Sequence, residues 1–231
     1  MHLECRQLNY SYPGSSKQVI QNLSFVMEGA GFNAVFGPSG VGKTSLAKVI
    51  ADPGELFFQT VATRNISTIL YTYNQERLPG WAGIGHHLER VTPDGRQDLR
   101  QELIRIFELE EVMTSRFNEL SMGQQNRINL IRYLLQDFDL MIMDESLANV
   151  DEKLRQDIIL SIKELFADRM FLYISHNLLE VATFCNDILV LGRHSSAGRS
   201  ALVVKGQDLR QKNNLDKKGV DRVMLEIMNA V

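Results

Sequence analysis

The sequence predicts an α/β fold with a largely parallel sheet, a β-rich N-terminus and an inserted helical region. Two observations lead there. An apolar strand, Phe32 to Phe36, runs into a glycine-rich loop and then into a helical pattern. From Asp139 onward, short apolar runs alternate with segments of helical periodicity, the pattern of strands joined by crossover helices.

In chain order, Leu3 to Tyr12 and Val19 to Met27 read as strands, with Pro13-Gly14-Ser15-Ser16 as the turn between them. After the loop, Leu46, Val49 and Ile50 recur at helical spacing. Ser67–Tyr73 and Leu140–Met143 read as buried strands. Between them Leu99, Leu103, Ile106 and Phe107 form one apolar helix face, and Pro79-Gly80 and Pro93-Asp94-Gly95 bracket part of an insertion. Leu154, Ile158, Ile162 and Leu165 mark a helix, Met170–Ile174 a strand, and Ile188–Leu191 another strand. A polar stretch, Lys205–Lys218, precedes a last helix with Val220, Val223, Met224, Ile227 and Met228 expected on one side.

Composition narrows the function classes. The chain has 231 residues, 44% of them hydrophobic and 23% charged, enough to bury a sizeable core. Lys plus Arg (25) against Asp plus Glu (28) leaves a net charge of −3, which argues against a dedicated nucleic-acid binder. No stretch reaches the ~18 apolar residues of a membrane span, and MHLECRQLNY does not read as a secretory leader. Cys5 and Cys185 are too few for a disulfide scaffold. The expectation is a soluble cytoplasmic protein.

Residues 37–44 read GPSGVGKT, the pattern G-x-x-x-x-G-K-[ST] in its strand-then-helix setting. Phosphate oxygens need closely spaced donors. Gly37, Gly40 and Gly42 let the backbone curl around Pro38, Ser39 and Val41 until several N–H groups face inward at a helix N-terminus. Lys43 brings the mobile charge for the β and γ phosphates, and the Thr44 hydroxyl can ligate Mg²⁺. A magnesium nucleotide site also needs a carboxylate at a neighbouring strand end. Leu140-Met141-Ile142-Met143-Asp144-Glu145 offers two. Asp144 would hold the metal through water, and Glu145 would orient and deprotonate the attacking water.

With these residues in place the chain resembles the ATP-binding-cassette (ABC) family along essentially its whole length. Leu120-Ser121-Met122-Gly123-Gln124-Gln125, followed by Arg127, is similar to the family's LSGGQ signature, with methionine at the third position. The resemblance implies a P-loop NTPase of the ABC type: one domain over 1–231, with residues 1–75 and 139–231 as the nucleotide-binding core. It also implies an antiparallel N-terminal β subdomain and a helical signature subdomain over 76–138. It implies that Ser121, Gly123 and Gln124 meet the γ-phosphate of ATP held by a second cassette, as a homodimer. By the same resemblance Tyr12 stacks on adenine, with Tyr10 as the alternative, and Ser45 completes the cradle. Gln75 reaches Mg²⁺ and the attacking water, Ser146 to Asp151 form the loop that crosses the dimer interface, and His176 is the switch histidine bonded to the γ-phosphate.

Met122 departs from the family where a small residue is usual, Val150 stands where leucine is usual, and Ala51-Asp52-Pro53-Gly54 is shorter than usual. Glu76-Arg77-Leu78-Pro79-Gly80-Trp81 resembles a stretch of the nitrate, taurine and sulfonate importer ATPases. The implied role is the ATPase subunit of a bacterial importer, using ATP and Mg²⁺, peripheral on the inner face of the cell membrane. Its implied partners are a membrane permease and, through it, a solute-binding protein. The apolar segment from Leu78 to Trp81 is expected to dock on the permease. A soluble cassette ATPase of translation or DNA repair, and a P-loop kinase or GTPase-like module, are the competing classes.

Overall fold

The computed structural model describes residues 1–57, 59–74, 76–78, 83–192, 201–211 and 215–231. A small antiparallel sheet has the order β2-β1-β4, from His2–Ser11 (β1), Gln18–Glu28 (β2) and Val61–Arg64 (β4). Residues Leu3 and Cys5 of β1 point inward on the strand's two-residue period. At Gln7 the backbone turns left-handed (φ 50°) and the register slips, which brings Leu8 rather than Gln7 into the core.

The large sheet has the order β5-β6-β7-β3-β8-β9. Its strands are Gly31–Phe36 (β3), Ile69–Tyr73 (β5), Leu140–Asp144 (β6), Met170–Ile174 (β7), Asp187–Val190 (β8) and Leu202–Lys205 (β9). The first five in spatial order run parallel; β9 is antiparallel to β8. Both faces are covered, which explains the unbroken apolar runs. Met141 and Met143 of β6 join one core with the helices Met122–Leu134 (α5), Glu152–Leu165 (α6), Leu178–Phe184 (α7) and Lys217–Ala230 (α8). Leu140 and Ile142 join a second core with the helix Lys43–Ala51 (α1) and the small sheet.

Between β5 and β6 the described chain is helical: Ile84–Val91 (α3), Gln97–Ile106 (α4) and α5, with two short 3₁₀ turns before α5. A short helix, Gly54–Phe57 (α2), follows α1. Strand β3 lies between β7 and β8, so the loop that leaves it emerges beside the C-terminal end of β7, with that of β6 one strand further on. That edge is where ligands bind in parallel α/β sheets.

The structure corrects some sequence expectations. Strand β5 starts at Ile69, because the N–H groups of Ser67 and Thr68 donate instead to the Asp139 carboxylate (2.7 and 3.0 Å). Met228 is not on the buried side of α8: it is 63% exposed, whereas Val220, Val223 and Ile227 are buried. Each residue turns a helix by about 100°, and Met228 is one step beyond the stripe that ends at Ile227. The polar stretch from Lys205 overlaps β9, which pairs Asp187 with Lys205. Strand β4 and the short helix α2 have no counterpart in the sequence expectations, whereas α3 falls in the region expected to be helical and α7 in the expected strand–helix alternation. Within β4 only Val61 is buried, too little for a periodic signal.

Candidate functional site

The loop from 37 to 42 turns into α1 through Gly42, whose φ of 108° belongs to the left-handed region. A Cβ there would also press on Val19 and Ile20 at 3.1 and 3.2 Å. No side chain caps α1, so its first N–H groups remain open to an anion. The Lys43 ammonium folds back over the loop and donates to the carbonyls of Gly37 (2.8 Å) and Pro38 (3.0 Å). Burial lowers its pKa from 10.5, an effect that the charges of Glu145 and Asp144 oppose.

Ser39, Gly40, Val41, Gly42, Lys43, Thr44 and Ser45 line a cleft of about 660 Å³ that also takes in Glu145 and His176. Tyr12 stands in the same cleft, half exposed, with its hydroxyl 2.8 Å from the Ser45 hydroxyl. Tyr10 packs edge-on against Tyr12 and tilted against Phe57, and of the two tyrosines only Tyr12 lines the cleft.

At the end of β6, Asp144 is buried and accepts from the Tyr71 hydroxyl (3.0 Å). Glu145 adopts φ 53°, costly for a residue with a Cβ, and its N–H donates to the Ile174 carbonyl (3.1 Å). That turn aims Glu145 at the cleft, where Oε1 lies 2.5 Å from Nε2 of His176. Tyr12, the 39–45 loop, Glu145 and His176 therefore converge. Asp144 is not among the residues that line the cleft, and Gln75, Pro79, Gly80 and Trp81 lie outside the described residues.

Ser121, Gly123 and Gln124 do not line the cleft either. They start α5, where Ser121 and Gln124 cap each other: the Gln124 N–H donates to Ser121 Oγ (3.3 Å), and the Ser121 N–H to Gln124 Oε1 (2.9 Å). A Cβ on Gly123 would come within 2.2 Å of the Asn149 carbonyl, so glycine lets the helix start seat on the 146–151 loop. Met122, the departure from the expected pattern, is 50% exposed. Further along α5, Asn126 donates to Asn74 Oδ1 and to the Ala148 carbonyl (both 2.9 Å), and Asn129 donates to the Glu76 carbonyl (2.7 Å).

Sequence reasoning missed these two asparagines, and it missed Lys17 to Gln21, which form one wall of the cleft. The position of that wall just after the Pro13–Ser16 turn, beside Tyr12, was the available signal. Leu78 packs against the core, half buried.

A glycine loop feeding an uncapped helix, with a buried lysine over it and a strand-end carboxylate facing it, defines an α/β protein of the P-loop nucleotide-binding class. Residues 20–148, more than half of the 231, match the family described as ABC transporter. The chain belongs to that family, and it is an ATPase.

Among curated proteins it is 26% identical to a taurine import ATP-binding protein, TauB, of Pseudomonas fluorescens (strain Pf0-1), over 88% of each chain. It is 28% identical to a spermidine/putrescine import ATP-binding protein, PotA, of Fusobacterium nucleatum, over 80% of this chain and 53% of the relative. It is 26% identical to a molybdenum import ATP-binding protein, ModC, of Saccharophagus degradans, over 77% of this chain and 54% of the relative. The chain thus spans about half the length of the last two. Among solved structures, an ATP-binding subunit of an ABC transporter superposes with a TM-score of 0.74 at 20% identity, covering 99% of this chain and 100% of that one. A dimeric bacterial ABC transporter cassette superposes with 0.70 at 19% identity, covering 88% and 98%. At these identities the likeness is one of fold.

Proposed function

We propose that this chain is the ATP-hydrolysing subunit of an ABC importer, working as a pair of identical cassettes on a separate membrane permease. The carrying observation is the meeting of Glu145 and His176 in the cleft that the 39–45 loop and Tyr12 also line. In this reading the loop N–H groups and Lys43 hold the β and γ phosphates, and Tyr12 lies against the adenine. Glu145 takes the proton of the attacking water as it approaches the γ-phosphorus, and His176 holds the carboxylate and then the γ-phosphate in place. The phosphoanhydride bond breaks, giving ADP and phosphate.

The oxygen donors here suit Mg²⁺. Thr44 lines the cleft and carries a hydroxyl, and Asp144, at the strand end beside Glu145, accepts from Tyr71 through one carboxylate oxygen; these two would hold the ion, Asp144 through water. Among the described residues no cluster of His, Cys, Asp or Glu holds a metal unaided, so the nucleotide's phosphates would supply the remaining ligands. Held there, the ion would supply positive charge against the phosphates of the bound nucleotide.

Ser121, Gly123 and Gln124 lie off their own chain's cleft, which supports a head-to-tail pair in which they meet the ATP of the other cassette. Residues 1–75 and 139–231 would form the nucleotide-binding core, and 76–138 the helical part that carries this signature. Gln75 would report the γ-phosphate to the permease, and Leu78 to Trp81 would dock on it.

The taurine relative, matched over 88% of both chains, favours an importer. No helix among the described residues is long and apolar enough to cross a membrane; in this reading the permease is a separate chain. The location in this reading is the cytoplasmic face of the membrane, with a solute-binding protein reached through the permease. Co-expression with the permease tests this: the two should co-purify from detergent, with ATPase activity that Lys43→Ala abolishes. Failure to associate would overturn the transporter role.

A further inference from the structure

The loops that carry Glu145 and His176 are tied together at a second place, away from their own contact. Glu180, in the first turn of α7, is 5% exposed. Its Oε1 accepts from the Tyr173 hydroxyl (2.7 Å) and the Ser175 hydroxyl (2.9 Å). Its Oε2 accepts from Nε of Arg155 on α6. The guanidinium continues to the Val150 carbonyl (3.1 Å), at the end of the loop that starts at Glu145. Ser175 Oγ also accepts from the Asn177 N–H (3.1 Å), and Asn177 Oδ1 accepts from the Glu180 N–H (3.1 Å). Both neighbours of His176 are thus held by groups that close on Glu180. The two loops enclose a cavity of about 190 Å³ that both Glu145 and His176 line, with Arg155 and Glu180 also in its wall. A single buried carboxylate makes three side-chain hydrogen bonds there: two to Tyr173 and Ser175, on the stretch that leads into His176, and one to Arg155, which reaches the loop from Glu145 through the Val150 carbonyl.

We propose that Glu180 is a positioning residue for hydrolysis: through Ser175 it sets the height of His176 against Glu145, and through Arg155 it ties that setting to the 146–151 loop. A shift of the 146–151 loop would then be felt at His176 through two charge-assisted links rather than through loose backbone. Glu180 and Arg155 line no part of the nucleotide cleft, so the strut acts on turnover and leaves ATP binding alone.

This inference rests on the reading of Glu145 and His176 as the hydrolytic pair, and Glu145→Gln, which should abolish turnover, checks that reading separately. Glu180→Gln keeps the side-chain shape but presents an N–H to Arg155 or to the two hydroxyls. Its kcat should fall roughly ten- to hundred-fold, with KM for ATP and bound-ATP stoichiometry within about two-fold of wild type. Ser175→Ala cuts only the link to the His176 loop and should give the same split even if Glu180→Gln fails to fold; Ser175→Thr should restore kcat. Ile162→Val, a core change away from both loops, should lower Tm while keeping kcat. Wild-type kcat in Ser175→Ala, or a kcat loss no larger than the loss of ATP-binding-competent protein, would overturn the strut. If Glu145→Gln still turns over, the hydrolytic reading itself fails.

Discussion

Substituting Gly123 by alanine should uncouple the start of α5 from the loop it rests on. The added Cβ would sit 2.2 Å from the Asn149 carbonyl, and ordinary contact begins at 3.4 Å, so helix or loop must yield by about 1.2 Å. The loop has little slack: Asn149 is left-handed at φ 61°, and Asp151 is tied to α6 by accepting from the N–H groups of Lys153 and Leu154. Overpacking of this kind costs about 1–3 kcal/mol, and alanine's better helix propensity returns about 1. The net loss is about 0–2 kcal/mol, a Tm fall of up to roughly 8 °C for a domain of this size. The functional loss should be larger, because a displacement of about 1 Å in a positioned group costs on the order of a hundred-fold in rate. ATPase turnover against ATP concentration, beside a thermal melt, measures both. A variant with wild-type turnover and an unchanged Tm would refute the seating of α5 on Asn149.

Other outcomes are equally specific. Lys43→Ala removes the cation over the loop and should weaken ATP binding roughly ten- to hundred-fold, read by titration with a fluorescent nucleotide. Because burial holds the Lys43 pKa below 10.5, the unfolded chain binds more protons than the folded one just below that value. The stability of the wild type relative to Lys43→Met should therefore rise with pH in that alkaline window, and a flat or falling difference in paired melts would contradict the burial penalty. Asn129→Ala frees the Glu76 carbonyl from α5 and should cost about 1 kcal/mol in urea unfolding. An unchanged midpoint would show that this bond contributes nothing net.

What was legible in the sequence follows from how locally each feature is determined. The 37–44 loop announces itself because one anion needs glycines, a lysine and a hydroxyl at fixed spacing in one short segment. Buried strands β6 and β7 were legible because two-sided burial leaves no polar residue in them until Asp144 and Ser175. Tyr12 and Tyr10 could not be told apart by pattern; the fold does so by turning Tyr10 toward Phe57. Asn126, Asn129 and Glu180 carried no signal of their own, since their partners lie far along the chain or belong to another element. Met228 misled because five apolar residues in a helix exceed what one stripe can bury.

Glu145→Gln asks whether Glu145 performs hydrolysis at an ATP shared between two cassettes. Light scattering coupled to gel filtration, with and without ATP and Mg²⁺, reads the state of that variant. The expected result is a stable ATP-dependent dimer that does not turn over, and a monomer without nucleotide. A variant that stays monomeric in saturating ATP, or that hydrolyses ATP at the wild-type rate, would contradict it.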